Sequence, residues 1–244
     1  MKNSPLVSFR EKLLFTQIYV HVVFLLGLFT SSFSALQIIT ILAIGQIVFV
    51  GGCGTSFFHR ALAHRQPLSL LAHRTMIVLS WIGASSSALA WVGHHRMHHQ
   101  YADTIKDPHS PTYHGIFKTY WTTNGDSSVM RYVTDLVSDK WLLFQHRHYF
   151  KGLFAMHGLG LVFLPFSWYW AALIVPAFLM WFAGSSVNVL CHDTLGPRNV
   201  PFLGWLHAGE GWHANHHSNP GDREFSKGKD WGYWVHKLLA RKNG

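Results

Sequence analysis

Uncharged apolar runs dominate the hydrophobic pattern of this 244-residue chain. Residues 13–58 contain no Asp, Glu, Lys or Arg, and neither do residues 152–192. A helix needs about 20 residues to cross a bilayer, so each run can fold as two spans joined by a tight turn. We predict these turns near residues 31–34 and 165–168, which are rich in Ser, Pro and aromatic residues. The pattern therefore predicts an all-α integral membrane protein with four transmembrane helices in two hairpins.

A third uncharged stretch, residues 75–95, is also long enough to cross a membrane. It is interrupted by four serines and two glycines, and a span here would separate histidines that are argued below to act together. We therefore expect one or two helices lying in the membrane interface. The single domain, residues 1–244, then consists of a first transmembrane hairpin (13–58), a cap with interfacial helices (59–151), a second hairpin (152–192) and a C-terminal cap (193–244).

Charged residues make up only 13% of the chain, about half the share of a soluble domain. This composition excludes an ordinary soluble enzyme and a disordered chain. Lys and Arg lie between the hairpins and after the second one, whereas the two turns carry none. The positive-inside rule then places both termini and the middle segment in the cytoplasm. The same rule explains the net charge of +9, and no stripe of basic and aromatic residues indicates a nucleic-acid partner.

Histidine is unusually frequent, with 19 residues against 11 for Asp and Glu together. It is the commonest metal ligand in proteins. Four short segments hold most of the candidates: one H-x4-H box, two H-x2-H-H boxes, and an Asn four residues before a His. The candidate metal-ligating residues are His59, His64, His95, His98, His99, Asn188, His192, His213, His216 and His217.

The spacing of these residues has a physical meaning. On an α-helix, positions i, i+3 and i+4 share a face, so the three histidines of each H-x2-H-H box should project the same way. His59 and His64 lie about 140° apart at the α-helical rotation of about 100° per residue, so they either flank a site or mark an unwound helix. All four segments lie at predicted cytoplasmic membrane boundaries and can converge.

The number and type of ligands bear on the metal. Nine imidazoles and one amide are too many for one ion and suit two ions with four or five ligands each. Imidazole suits Fe, Zn, Cu or Ni, whereas Mg and Ca prefer oxygen. We infer two irons because a redox-active pair beside a bilayer suggests O2 activation, although the order of affinities alone favours copper.

The other histidines and the cysteines carry weaker signals. Cys53 and Cys191 lie in apolar surroundings and predict neither a disulfide nor a thiolate metal site. His21 and His157 lie within spans, where we expect hydrogen bonds between helices. His94 and His109 lie close in sequence to the second histidine box, which is formed by His95, His98 and His99. A role in supporting the metal ligands stays open for them. No role is assigned to His73, His114, His146, His148, His207 and His236.

The order, spacing and flanks of the boxes resemble the membrane fatty acid desaturases, nearest to Δ9-type acyl desaturases (stearoyl-CoA desaturase-like) in their bacterial or cyanobacterial form. The resemblance runs from about residue 51 to residue 220. Its motifs are His59-x4-His64-Arg65, Trp91-Val92-Gly93-x-His95-Arg96-Met97-His98-His99, Asp107-Pro108-His109, Asn188-x3-His192 and Gly209-Glu210-Gly211-Trp212-His213-x-Asn215-His216-His217.

The resemblance implies a four-span fold with a cytoplasmic catalytic cap. It also implies two non-haem Fe2+ ions held by the histidines, with Asn188 holding one of them through water. The implied reaction uses O2 to insert a cis double bond, expected at Δ9, into a saturated acyl chain. No catalytic residue beyond the metal ligands is implied.

The acyl carrier and the electron donor are less defined. Animal acyl-CoA desaturases have Arg-Asp just before the second box, where this chain has Gly93-His94, so the carrier can be CoA or a lipid. No flavin, nicotinamide or iron–sulfur motif is present, so the resemblance implies an external donor, a ferredoxin or a small b-type cytochrome. Basic residues of the C-terminal cap could receive it, or could reflect membrane topology alone: Arg223, Lys227, Lys229, Lys237, Arg241 and Lys242.

Two other functions stay open. A membrane hydroxylase or oxygenase acting on an alkyl, sterol or carotenoid substrate would use the same ligands, but its product would gain an oxygen instead of losing two hydrogens. A haem or metal carrier without catalytic activity would use paired histidines, and His21 and His157 would be its natural ligands. A Soret band in the purified protein would support that carrier.

Overall fold

The computed structural model describes residues 5–121 and 127–241. Helices dominate these residues, as the sequence predicts, and one small antiparallel hairpin is added to them. The helices and strands are α1 (Pro5–Thr30), α2 (Ala35–Gly45), a π-helix (Gln46–Ala63), α3 (Leu70–Ile82), α4 (Ala88–Tyr101), α5 (Pro111–His114), α6 (Ile116–Tyr120), a 3-10 helix (Ser127–Tyr132), α7 (Lys140–Phe163), α8 (Phe166–Tyr169), a second π-helix (Trp170–Ile174), α9 (Val175–Leu190), β1 (His192–Asp193), β2 (Gly196–Pro197), α10 (Pro201–Leu206), α11 (His213–Ser218) and α12 (Trp231–Leu239).

Three helical stretches of residues 5–121 and 127–241 are long and apolar enough to cross a membrane: Phe9–Thr30, Ala35–Ala63 and Phe166–Leu190. Helix α7 has 24 residues and is about 36 Å long, which exceeds the bilayer core of about 30 Å. The first half of α7, however, carries Lys140, Arg147 and Lys151. The three long apolar helices are the part of the predicted four-span architecture that the structure shows.

The breaks between the long helices fall where turns are predicted. Helices α1 and α2 are separated by residues 31–34, and Ser34 begins α2 with a capping box in which its side chain and that of Gln37 satisfy each other's backbone N–H. Helices α7 and α8 are separated by residues 164–165. Both breaks therefore lie at or beside the predicted turns.

Residues 75–95 fall on two helices, α3 and α4, separated by residues 83–87. Each helix starts after a serine whose hydroxyl accepts a hydrogen bond from a backbone N–H three residues further on, Ser69 from Ala72 and Ser87 from Ala90. Of the one or two helices expected in this stretch, the structure shows two. Its consequence is that α4 carries the second histidine box inward, where His95 and His98 are buried.

The first histidine box ends the long π-helix. The backbone N–H of His64 donates to the carbonyl of His59 at 3.0 Å, a hydrogen bond that spans five residues. Such a helix takes more residues per turn than an α-helix, so positions five apart return to the same side. The rings of His59 and His64 are 4.8 Å apart between centroids. Of the two expected alternatives, histidines 140° apart that flank a site and an unwound helix, the structure shows the second.

The C-terminal segment is fastened to this π-helix through Arg60, which is fully buried. The guanidinium donates to Asp230 at 2.6 Å and to the carbonyl of Arg223 at 3.0 Å, and its central carbon lies 4.1 Å from the ring centroid of Phe225. Asp230 also accepts from the backbone N–H of Tyr233 at 3.0 Å and so holds the start of α12. This buried ion pair fixes the last part of the chain over the histidine boxes.

Candidate metal centre

The nine predicted histidines fall into two groups of ring nitrogens, and within each group the atoms lie within 4.8 Å of one another. The first cluster is His59, His64, His95, His99 and His216. The second cluster is His98, His192, His213 and His217. The ring of His99 stacks on that of His217 with centroids 4.4 Å apart, so the two clusters are neighbours. The groups of five and four match the expected division of ligands between two ions.

Each H-x2-H-H box contributes to both clusters. On α4, the two histidines four residues apart enter the first cluster, and His98 enters the second. On α11 the assignment is reversed, because His213 and His217 enter the second cluster and His216 enters the first. The three histidines of a box therefore share a helix face, as predicted, but they do not share an ion site.

The distances between ring nitrogens test whether a metal fits. Two nitrogens bound to one ion at about 2.1 Å and at right angles lie about 3.0 Å apart. Six Nε2 pairs face one another at 2.8–3.2 Å: His59–His216, His64–His95, His99–His216, His98–His217, His192–His213 and His213–His217. These are separations expected of neighbouring ligands, and imidazole suits iron, zinc, copper or nickel.

Three carboxylates behind the clusters fix the orientation of the rings. The Nδ1–H of His59 donates to Glu210 at 2.7 Å, that of His98 to Asp107 at 2.9 Å and that of His192 to Asp103 at 2.9 Å. A ring whose Nδ1 carries the hydrogen presents a lone pair at Nε2. In all three rings that lone pair points at another imidazole nitrogen, an arrangement that a bound cation satisfies.

Sequence reasoning assigned no role to these carboxylates. Two of them lie in motifs that the sequence displays, Asp107 in Asp-Pro-His and Glu210 in Gly-Glu-Gly-Trp-His. The signal that could have found them is the pairing of an acidic residue with a nearby histidine box, since ligating histidines donate their second N–H to such groups. Asp103 carries no comparable motif, and only the fold brings it to His192.

Arg96, inside the second histidine box, connects that box to the first one. Its guanidinium donates to the carbonyls of Leu62 at 2.5 Å and Ala63 at 3.1 Å, which are C-terminal groups of the π-helix without a helical partner. It also donates to the carbonyl of Tyr132 and forms an ion pair with Asp135, both at 2.7 Å. The relative position of His64 and α4 is therefore fixed by one side chain.

Two small adjoining cavities lie beside the clusters. The first, called the site cavity, has a volume of about 60 Å³ and is lined by histidines of both clusters, His59, His95 and His213. The second, called the side cavity, has a volume of about 30 Å³ and extends to His109 and Thr119. The two cavities share the lining residues Ser85, Trp91, Met180, Gly184 and Asn188. Asn188, predicted as a ligand, thus lies beside the clusters, where the two cavities meet.

Comparison with known proteins gives consistent names. No family model matches the chain. It is 26% identical over 193 residues to the sn-1 stearoyl-lipid 9-desaturase of Synechocystis sp., covering 70% of this chain and 58% of that protein. It is 29% identical over 199 residues to acyl-CoA desaturase 1 of Saccharomyces cerevisiae, covering 71% and 38%. It is 29% identical over 233 residues to Delta-9 acyl-lipid desaturase 1 of Arabidopsis thaliana, covering 84% and 70%.

The chain is similar to membrane Δ9 acyl desaturases. The histidine clusters agree with this similarity. The chain spans 58% of the length of the Synechocystis relative and 38% of that of the yeast relative. The names of these relatives include both acyl-lipid and acyl-CoA substrates.

Burial favours the uncharged form of seven of the nine histidines in the two clusters. It lowers the pKa of His64 to about 3 and of His99 to about 4, and neighbouring imidazoles and arginines add to the effect. The pKa is lowered in the same way for His95, His98, His213, His216 and His217. Neutral imidazoles at pH 7 retain the lone pairs that a metal ion requires.

Glu210 behaves differently from an ordinary surface carboxylate. Burial raises its pKa to about 7, although the nearby charge of Arg60 and a hydrogen bond from Thr55 act in the opposite direction. A carboxyl group with this pKa is partly protonated at neutral pH. Glu210 therefore holds a proton more readily than a surface carboxyl group does.

The remaining predictions for histidine and cysteine are mostly confirmed. His21 bonds to the Tyr120 hydroxyl at 2.9 Å and His157 to the Tyr169 hydroxyl at 2.8 Å, so each links two helices. The backbone N–H of His109 donates to Asp107, the carboxylate behind His98, and its ring lies outside both clusters. Both cysteines are free and buried, as predicted.

Replacing Asp107 with Asn tests the support behind His98. The carboxylate is fully buried and both of its oxygens lie 2.9 Å from His98 Nδ1, so an amide of the same shape would lower the basicity of that ligand. We expect iron affinity to fall by about 10- to 100-fold, measured by competition with a chelator. Asp222→Asn, at an exposed carboxylate, is the control. Equal affinities in the two variants would contradict the role of Asp107.

Proposed function

We propose that the chain is an O2-dependent fatty acyl desaturase that inserts a cis double bond, expected at Δ9, into a saturated acyl chain carried on CoA or lipid. The observation that carries the proposal is the pair of histidine clusters, with five and four ring nitrogens, beside a cavity. The names of the relatives point to the same reaction.

The proposed cofactors are two non-haem Fe2+ ions, one in each cluster, with Asn188 contributing to one of them directly or through water. When bound, the irons supply the reduction of O2. Two adjacent methylenes each lose one hydrogen, and with O2, two electrons and two protons they yield one double bond and two waters. The same ligands fit a membrane hydroxylase, from which the desaturase differs in product mass.

In this proposal the residues of the chain hold the metal ions, orient the imidazole rings and shield the centre from solvent. Neutral imidazoles bind the ions, and the carboxylates Glu210, Asp107 and Asp103 fix three of the rings. Phe225 packs on His216 with ring centroids 4.5 Å apart and covers the first cluster on one side. The site cavity then presents one segment of an acyl chain to both clusters, and this positioning is the protein's own contribution to the reaction.

We further propose that α7 forms the fourth span and that the cap and both termini face the cytoplasm. The two electrons come from an external donor, a ferredoxin or a small b-type cytochrome. Five basic side chains of the C-terminal cap are exposed and suit an acidic partner: Arg223, Lys227, Lys229, Lys237 and Arg241. Lys242, which belongs to the same predicted patch, lies outside the described residues.

The test is the fatty-acid profile of a bacterial host, measured by gas chromatography–mass spectrometry with derivatisation of double bonds. Hosts co-expressing a donor with the wild type or with His98→Ala are compared at equal membrane levels. A new unsaturated acid with the wild type alone is expected. A hydroxylated acid would replace the desaturase by the oxygenase. Purified protein that binds no iron when iron is supplied would contradict the di-iron site, and a Soret band would favour the haem carrier.

A further inference from the structure

The short helix α6 forms the outer wall of the side cavity. Thr119 lines that cavity and is only 1% exposed. On the outer side of the same helix, Ile116 is 67% exposed and Phe117 is 79% exposed. Through Thr119, this five-residue helix forms part of the wall between the side cavity and the surroundings.

Helix α6 is fastened between two of the long apolar helices. The carbonyl of Tyr120 accepts from Gln17 of α1 at 3.0 Å and from Ser185 of α9 at 2.8 Å. The Tyr120 hydroxyl also bonds to His21 of α1 at 2.9 Å. Both α1 and α9 contribute to candidate spans, so these contacts hold α6 against membrane-facing helices.

The outer face of α6 continues a lipid-facing surface. Ile18, Val22 and Leu25 of α1 are 47–59% exposed on the helix to which α6 is fastened. In a bilayer, exposed apolar side chains at this position contact acyl chains. The part of the cavity wall that α6 forms therefore has its outer face toward lipid.

The two positions before the second histidine box, Gly93 and His94, offer no Lys or Arg to the phosphates of a CoA carrier. The two positions before the second box are turned inward. A side chain on Gly93 would meet the Val129 carbonyl at 2.8 Å, and His94 is only 4% exposed. Neither position can present a cation at the surface.

The cavities are also too small for the substrate as they stand. Volumes of about 60 and 30 Å³ compare with the roughly 300 Å³ or more of a small-molecule site. An acyl chain must therefore displace part of the wall. A five-residue helix, fastened at its last residue by three hydrogen bonds, is a smaller unit to move than a long packed span.

From these observations we infer that the substrate is the acyl chain of a membrane lipid, which enters sideways from the bilayer between α1 and α9 by displacing α6. This inference rests on the proposed desaturase function and selects acyl-lipid over acyl-CoA.

The experiment uses purified, iron-loaded protein in vesicles with a reducing system. One set of vesicles contains a phosphatidylglycerol with a stearoyl chain at sn-1, and the other contains only unsaturated lipid and receives stearoyl-CoA. We expect desaturation of the lipid-bound chain to be at least about tenfold faster. A stearoyl-CoA rate equal to or above the lipid rate would overturn the inference and leave the desaturase intact. No product from either substrate would instead reject the desaturase function.

The route past α6 is tested with Phe117→Glu, which places a charge on the path of the chain. Phe202→Glu is the matched control, because Phe202 is 71% exposed and lines neither cavity. We expect Phe117→Glu alone to slow lipid desaturation at least about fivefold at unchanged iron content. If this variant loses iron, Ile116→Ser on the same face replaces it. An iron-loaded variant as fast as the control would exclude this route.

Discussion

Replacing His216 with Ala is expected to abolish turnover and to remove iron from the first cluster. The Nε2 of His216 lies 2.9 Å from that of His59 and 3.0 Å from that of His99, so it is central among the five ligand atoms. The proposed reaction needs both ions, so the loss of one ion should abolish O2-dependent turnover rather than slow it slightly. We expect turnover to fall by about 1,000-fold or more, equivalent to about 4 kcal/mol. Product formation and iron per chain are the measurements.

His236→Ala is the control for this prediction. His236 is buried on α12, but it belongs to neither cluster. The variant should keep its iron and most of its activity, with some loss of thermal stability from the cavity created. Retained turnover in His216→Ala would refute the assignment of the ligands. Loss of iron in His236→Ala would show that His236 belongs to the metal centre and that the assigned ligand sets are incomplete.

Replacing Gly184 with Leu is expected to block the substrate while leaving the metal centre intact. Gly184 lies on α9 and lines both cavities, and a Cβ placed there meets no heavy atom within 4 Å. The first side-chain atom of a Leu would therefore meet no clash, and the rest of the side chain would extend into the space that the acyl chain needs. We expect about 100-fold slower desaturation of a stearoyl chain at unchanged iron content, with Gly184→Ala showing a smaller loss.

Gly158→Leu provides a matched control. Gly158 is also helical, and a Cβ there also meets nothing within 4 Å, but it lies on α7 and lines neither cavity. Both substitutions replace a poor helix former with a good one, which favours the helix by up to about 1 kcal/mol. Similar turnover in the two leucine variants would show that the space beside Gly184 does not receive the substrate.

Much of the centre could be predicted because its ligands recur at short spacings. The boxes at His95 and His213 lie on helices, and the i, i+3, i+4 rule correctly gives each box one inward face. The rule cannot say which ion each histidine faces, because that depends on how α4 and α11 approach each other. Only the fold reveals that His98 and His216 cross to the opposite clusters.

At His59 and His64 the sequence left two alternatives. The separation of 140° assumes an α-helical rotation, and local residue preferences do not indicate 18 consecutive π-helical residues. The fourth span illustrates a further limit. Charge-free length identifies α1, α2 and α9 well, whereas α7 begins in a charged segment, so its apolar part alone is shorter than a bilayer requires.

The ion pair between Arg60 and Asp230 has a consequence for the smallest functional unit of this chain. The third histidine box ends at His217, which would suggest that a truncation shortly afterwards keeps the whole catalytic domain. Such a truncation would remove Asp230 and leave the guanidinium of Arg60 buried beside the first cluster without its carboxylate. A charge stranded in this way costs about 3–5 kcal/mol, a large part of the stability of a typical domain. The residues after the last ligand are therefore needed for folding.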